Sequence, residues 1–118
     1  MTRFLVVPQW QGSPSARAMR LIDGAEAIAD DLPRSALTRV AVPAEAGEAV
    51  GTGIRRFSTL TRVRDALAEV LASSDEPAVV IGGDCAVAVP AIAAAAGRHP
   101  SVAVVWFDAH GDLHTPES

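Results

Sequence analysis

A chain of 118 residues has room for one domain at most, and a small one. It is 49 % apolar with a formal charge of −4, a balance that suits a soluble globular protein and argues against nucleic acid or an anionic membrane as the main partner. All ten basic side chains are arginine, and the single cysteine, Cys85, leaves no internal disulfide to point to secretion.

The apolar run Phe4–Val7 predicts a first strand, closed by Pro8; it is too short for a signal peptide. Ser13-Pro14 reads as a helix start, with Ser as N-cap and Pro in the first turn. Ala18, Leu21, Ile22, Ala25, Ile28, Ala29 and Leu32 then keep helical spacing until Pro33. Val40-Ala41-Val42 predicts a short second strand, and Glu45 to Gly53 an exposed loop. Ser58 is placed to cap a helix with the apolar stripe Leu60, Val63, Leu67, Val70 and Leu71. Ala78–Ile81 predicts a third strand and Val102–Phe107 a fourth. Between them lies a small-residue helix, Ala86–Ala96, with Gly97 placed to stop it. The strand runs are continuously apolar rather than alternating, as in a parallel sheet covered on both faces by helices. No stretch reaches the length of a membrane helix, so the cytoplasm is the expected compartment.

The fourth run ends abruptly in Asp108-Ala109-His110-Gly111-Asp112. In an extended segment alternate side chains point the same way, so Asp108, His110 and Asp112 are expected to converge. Two carboxylates and an imidazole form the mixed oxygen and nitrogen set that holds a hydrolytic divalent metal. Sites of open α/β sheets lie beyond the carboxyl ends of the strands, where this cluster falls. The bland reading is an acidic strand end followed by a helix cap.

The third strand leads into Gly82-Gly83-Asp84-Cys85. Two glycines permit a tight turn and close backbone approach, with the polar pair at the start of the next helix. A helix start lowers a thiol's pKa, so Cys85 is expected to offer a thiolate to a metal. Alone, the pattern is equally compatible with Asp84 as a helix cap and Cys85 as an ordinary thiol.

Together, Gly82–Cys85 and the stretch Asp108-Ala109-His110-Gly111-Asp112-Leu113-His114-Thr115-Pro116 resemble the ureohydrolase family of arginases, agmatinases and formimidoylglutamases. The resemblance covers essentially the whole of residues 1–118, as the N-terminal portion of a single, longer arginase-like domain. It implies a three-layer α/β/α fold around a parallel sheet, with two divalent metals, manganese first, at the strand ends. It further implies that Asp108 bridges the metals, that His110 binds one and Asp112 the other, and that Gly82, Gly83 and Asp84 shape the supporting turn. His114 and Ser118 fall at substrate-facing positions. The implied reaction is hydrolysis of a guanidino or amidine C–N bond by metal-activated hydroxide, in a homo-oligomer that binds neither nucleic acid nor membrane.

Three departures stand out. Cys85 replaces the family's usual metal-binding His, which either biases the site toward Zn²⁺ or Fe²⁺ or leaves one metal position weak or empty. His114 replaces the Asn with which arginases recognise the amino-acid end of their substrate. The family's later Asp-x-Asp motif and its proton-transferring His do not occur. The resemblance also places later strands between the third and fourth, so residues 1–118 alone are expected to be inactive and marginally stable. The rivals are a metallophosphoesterase or zinc deacetylase, disfavoured by the missing partner motifs, and a degenerate, non-catalytic ureohydrolase-like binding or assembly subunit.

Overall fold

The structure is a computed structural model that describes residues 1–115, 117 and 118. Its centre is a parallel sheet of three strands, β1 (Arg3–Val7), β2 (Leu37–Arg39) and β3 (Ala78–Gly82), in the order β2-β1-β3. β1 pairs with β2 in the register Phe4 to Leu37, and with β3 in the register Arg3 to Ala78. Helices α1 (Arg20–Asp30), α2 (Phe57–Ala72) and α3 (Ala88–Arg98) complete the fold.

Because successive side chains of β1 point to opposite faces, each face acquires its own core. Leu5 and Val7 pack with Val63, Leu67 and Leu71 of α2, with Val40, and with Val87 at the entry to α3. Val6 packs on the other face with Ala25 and Ala29 of α1 and with Ile81, joined by Phe4, Leu32 and Leu37. The sheet therefore lies between two helical layers, the α/β/α arrangement that the uninterrupted apolar strands imply. The carbonyl end of α2 is closed by two arginines brought from elsewhere in the chain. Arg3 donates to the carbonyls of Val70, Leu71 and Ser74, and Arg98 to those of Leu71 and Ser74. Positive charge is favoured at that end of a helix.

Five boundaries differ from the sequence reading. The first helix starts at Arg20 rather than at Ser13-Pro14. The hydroxyls of Ser13 and Ser15 accept from the amides of Ser15 and Arg17, and these local bonds hold the segment in turns. The second strand is Leu37–Arg39 rather than Val40–Val42, although the Val40 amide still donates to the Val6 carbonyl at 2.8 Å. Ser58 does not cap α2; Arg56 precedes the helix in the left-handed region, and the Ser58 hydroxyl instead accepts from the Glu48 amide in the Glu45–Gly53 loop. The third helix begins as a 3-10 turn at Cys85–Val87, and its α-helical part runs through Gly97 to Arg98.

The fifth difference is the largest. Val102–Phe107 forms no strand, and Val105 and Phe107 are 74 % and 95 % exposed. A strand needs a ladder partner for its amides and carbonyls, and an apolar pattern supplies none. β3 pairs on one side with β1, and among the described residues its outer edge carries no strand.

Candidate functional site

The carboxyl ends of β1 and β3 meet in two loops that are fastened together. After β3, the Gly83 amide donates to the Val7 carbonyl at 3.2 Å, and the Asp84 amide to the Gln9 carbonyl at 3.0 Å. Gly83 makes this possible, because a Cβ there would fall on the Gln9 carbonyl oxygen. The buried Asp84 carboxylate accepts from Gln9 Nε2 at 2.8 Å, from the Gly12 amide at 2.8 Å and from the Ala86 amide at 2.9 Å. Asp84 thus caps the turn at Cys85, as one reading of the sequence had it, and also binds the loop that follows β1.

That β1 loop is itself buried. Gln11 donates through Nε2 to the carbonyls of Pro43 and Glu45, and Arg56 donates to the Ser13 carbonyl while its guanidinium lies 4.9 Å from the Trp10 ring centre. Gln9, Trp10, Gln11 and Arg56 were missed by sequence reasoning. The available signal was a pair of glutamines straight after an apolar strand, at the sheet end where open α/β proteins place their sites.

Cys85 opens the 3-10 turn with its side chain exposed. It shares the lining of an open cavity of about 490 Å³ with Ala88 and Ile92 of α3, with Val80, and with Trp106 and Asp108. Cys85 and Asp108, the first residue of the Asp-x-His-x-Asp motif, thus line one cavity. The expected thiolate is not favoured there. Partial loss of water, then the negative charges of Asp112, Asp84 and Asp108, push the Cys85 thiol above its usual pKa, outweighing a backbone hydrogen bond that lowers it.

The motif itself is not extended. Asp108 Oδ1 accepts from the His110 amide at 2.8 Å and lies 3.2 Å from His110 Nδ1, and the chain bends at residues 109–110. Asp112 sits in the left-handed region at φ 50°. The alternation that would aim Asp108, His110 and Asp112 at one point is thereby broken. Among the described residues no three His, Cys, Asp or Glu side chains are placed to hold a metal ion together. The donor types suit a divalent metal, but in this arrangement the set does not fit one. His114 and Ser118 do meet, with Nδ1 3.2 Å from Oγ, in an exposed turn where the Thr115 amide donates to Ser118 Oγ at 2.8 Å. Pro116, the last residue of the motif, lies outside the described residues.

Glycine-shaped loops at the carboxyl ends of β1 and β3, carrying Gln9, Asp84 and Cys85, define the site region of an open α/β protein. Residues 14–118 match the arginase family. The arginase of Staphylococcus aureus (strain COL) is 34 % identical over 68 residues, covering 55 % of this chain and 22 % of that protein. Arginase-1 of Xenopus laevis is 47 % identical over 45 residues, 38 % of this chain and 14 % of its own length. The N(omega)-hydroxy-L-arginine amidinohydrolase of Streptomyces lavendulae is 35 % identical over 60 residues, 51 % of this chain and 22 % of its own length. No solved structure gives a significant match. The chain belongs to the arginase family, and its matches span between a seventh and a quarter of the length of these relatives.

Proposed function

We propose that the whole protein is a metal-dependent ureohydrolase that cleaves a C–N bond of a small guanidino or amidine compound. The observation that carries this reading is the meeting of the two motifs: Cys85, at the end of β3, and Asp108, which opens Asp-x-His-x-Asp, line one cavity. The relatives named for arginase and for hydroxyarginine amidinohydrolase support the guanidino class. His114, at the substrate-facing position, favours a compound other than arginine itself. By the family resemblance Asp108, His110 and Asp112 would hold the metal in the whole protein once Val102–Phe107 is paired, with Cys85 as a further donor drawing the preference from Mn²⁺ toward Zn²⁺ or Fe²⁺. On the family resemblance we propose a homo-oligomer, and the cytoplasm as its compartment is a further proposal.

One observation favours a second reading, that of a non-catalytic binding or assembly subunit. The donors do not converge, and desolvation and the neighbouring carboxylates raise the pKa of the thiol that replaces the family's imidazole. The two readings part on one experiment. The whole protein and its His110→Ala variant are loaded with Mn²⁺ or Zn²⁺, metal content is measured, and urea release is followed from arginine, agmatine and hydroxyarginine. The hydrolase reading expects metal content and urea release to fall together in the variant. Unchanged metal content would remove His110 from the site, and a wild-type protein that holds metal but releases nothing would leave the binding subunit.

A further inference from the structure

We infer that Asp84 is a positioning residue, one that pins the loop after β1 to the turn after β3 and thereby fixes where Cys85 stands at the sheet end. The inference rests on the proposal that this sheet end is the functional site, but the geometry behind it is independent of any reaction.

Asp84 is 9 % exposed, and among the described residues no cation pairs with it. A buried carboxylate without a cation is costly unless N–H donors surround it. Here three do: two from the β1 loop, Gln9 Nε2 and the Gly12 amide, and one, the Ala86 amide, from the residue after Cys85. A cap for the turn would need only the Ala86 contact. The two contacts to the β1 loop span more than 70 residues of chain and cap nothing. Gly12 is shaped to the same purpose, since a Cβ there would press on the Asp84 carboxylate. The backbone bonds from Gly83 to Val7 and from Asp84 to Gln9 close the seam around it. Cys85 sits between Asp84 and Ala86, the carboxylate's own residue and one of its donors, so its position is set by this seam.

The contacts can be broken one side at a time. Oδ1 takes both Gln9 and Ala86, whereas Oδ2 takes Gly12. Asp84→Asn can therefore keep the first two bonds while setting an NH₂ against the Gly12 amide. Gly12→Ala displaces the carboxylate from the opposite loop and leaves its charge in place. Losing the contact between the residue-12 amide and the residue-84 side chain should raise amide exchange at positions 12 and 86 together by about tenfold or more in each variant. Alkylation of Cys85 by iodoacetamide at fixed pH, in the folded protein, should shift by more than about threefold in both. A purely structural role would lower the melting temperature and leave folded-state alkylation at the wild-type rate, and that result overturns the inference. A shift in Asp84→Asn without one in Gly12→Ala reports only the lost charge, and overturns it equally. Should both variants unfold, the wild type still decides. Gly12 and Ala86 amides that open at a shared rate under native conditions support the latch, and independent opening refutes it.

Discussion

The sheet built by β1 and the tail that follows α3 are both apolar, yet they have opposite fates. Leu5, Val6 and Val7 are wholly buried and covered on both faces; Leu5 and Val6 pair with β2 and β3, and Val7 pairs with Gly82 of β3. Val102–Phe107 is as apolar, but it is unpaired and largely exposed. The difference lies in neighbours rather than in composition. β1 has β2 and β3 beside it and a helix layer above and below, whereas among the described residues no strand lies beside the tail to complete its backbone hydrogen bonds. An apolar run states which residues would gain from burial; a ladder partner decides whether they become a strand. The metal motif inherits this fate, because its alternation exists only in an extended segment.

The contrast can be broken most forcefully in the core. Leu67→Ala, at a fully buried position of α2, should destabilise the fold by about 2–5 kcal/mol. Phe107→Ala, 95 % exposed in the tail, should stay within about 0.5 kcal/mol. Urea unfolding of both variants checks this, and equal losses would show that the tail is packed after all.

A smaller effect sharpens the point where the two regions meet. Desolvation and the charges of Asp112, Asp84 and Asp108 raise the Cys85 thiol pKa above its ordinary value of 9.0. The folded protein then holds this proton to higher pH than the unfolded chain does. The resulting contribution to stability is complete below the ordinary thiol value and is lost as pH climbs through the folded-state value. Alkylation of folded Cys85 should accordingly rise with a midpoint above that of the protein in denaturant, and Asp112→Asn should bring the midpoint part of the way down. A folded midpoint at or below the denatured one would mean that the tail's carboxylates do not approach the thiol.

Much of the fold was legible because burial leaves a periodic mark. Val63, Leu67 and Leu71 announced the buried face of α2, and the continuous runs of β1 and β3 announced a sheet covered on both sides. β2 was misplaced because its ladder residues, Leu37, Thr38 and Arg39, belong to an edge strand with polar side chains. Val40 and Val42 drew attention because they pack in the core just beyond it. The stop at Gly97 failed for a similar reason, since Arg98 reaches back to the end of α2 and holds the last turn of α3. At the site, the residue types and the turn after β3 were readable. The Asp84 seam was only half readable. A cap is a local pattern, whereas Gln9 and Gly12 reach Asp84 across more than 70 residues, a pairing that spacing does not encode. The bend at His110 was not readable, because it follows from the missing ladder and from Asp108 satisfying His110 locally.

Asp108, His110 and Asp112 carry the right donors but form no site while Val102–Phe107 is unpaired, and this arrangement is open to direct test. Its most direct test is a titration of the 118-residue protein with Mn²⁺ and with Zn²⁺, read by calorimetry and by the amide and imidazole NMR signals of residues 104–114. No saturable stoichiometric site is expected, only weak, scattered shifts at the exposed carboxylates and His110. A stoichiometric site that perturbs Asp108, His110 and Asp112 together, and that Asp108→Asn abolishes, would contradict it.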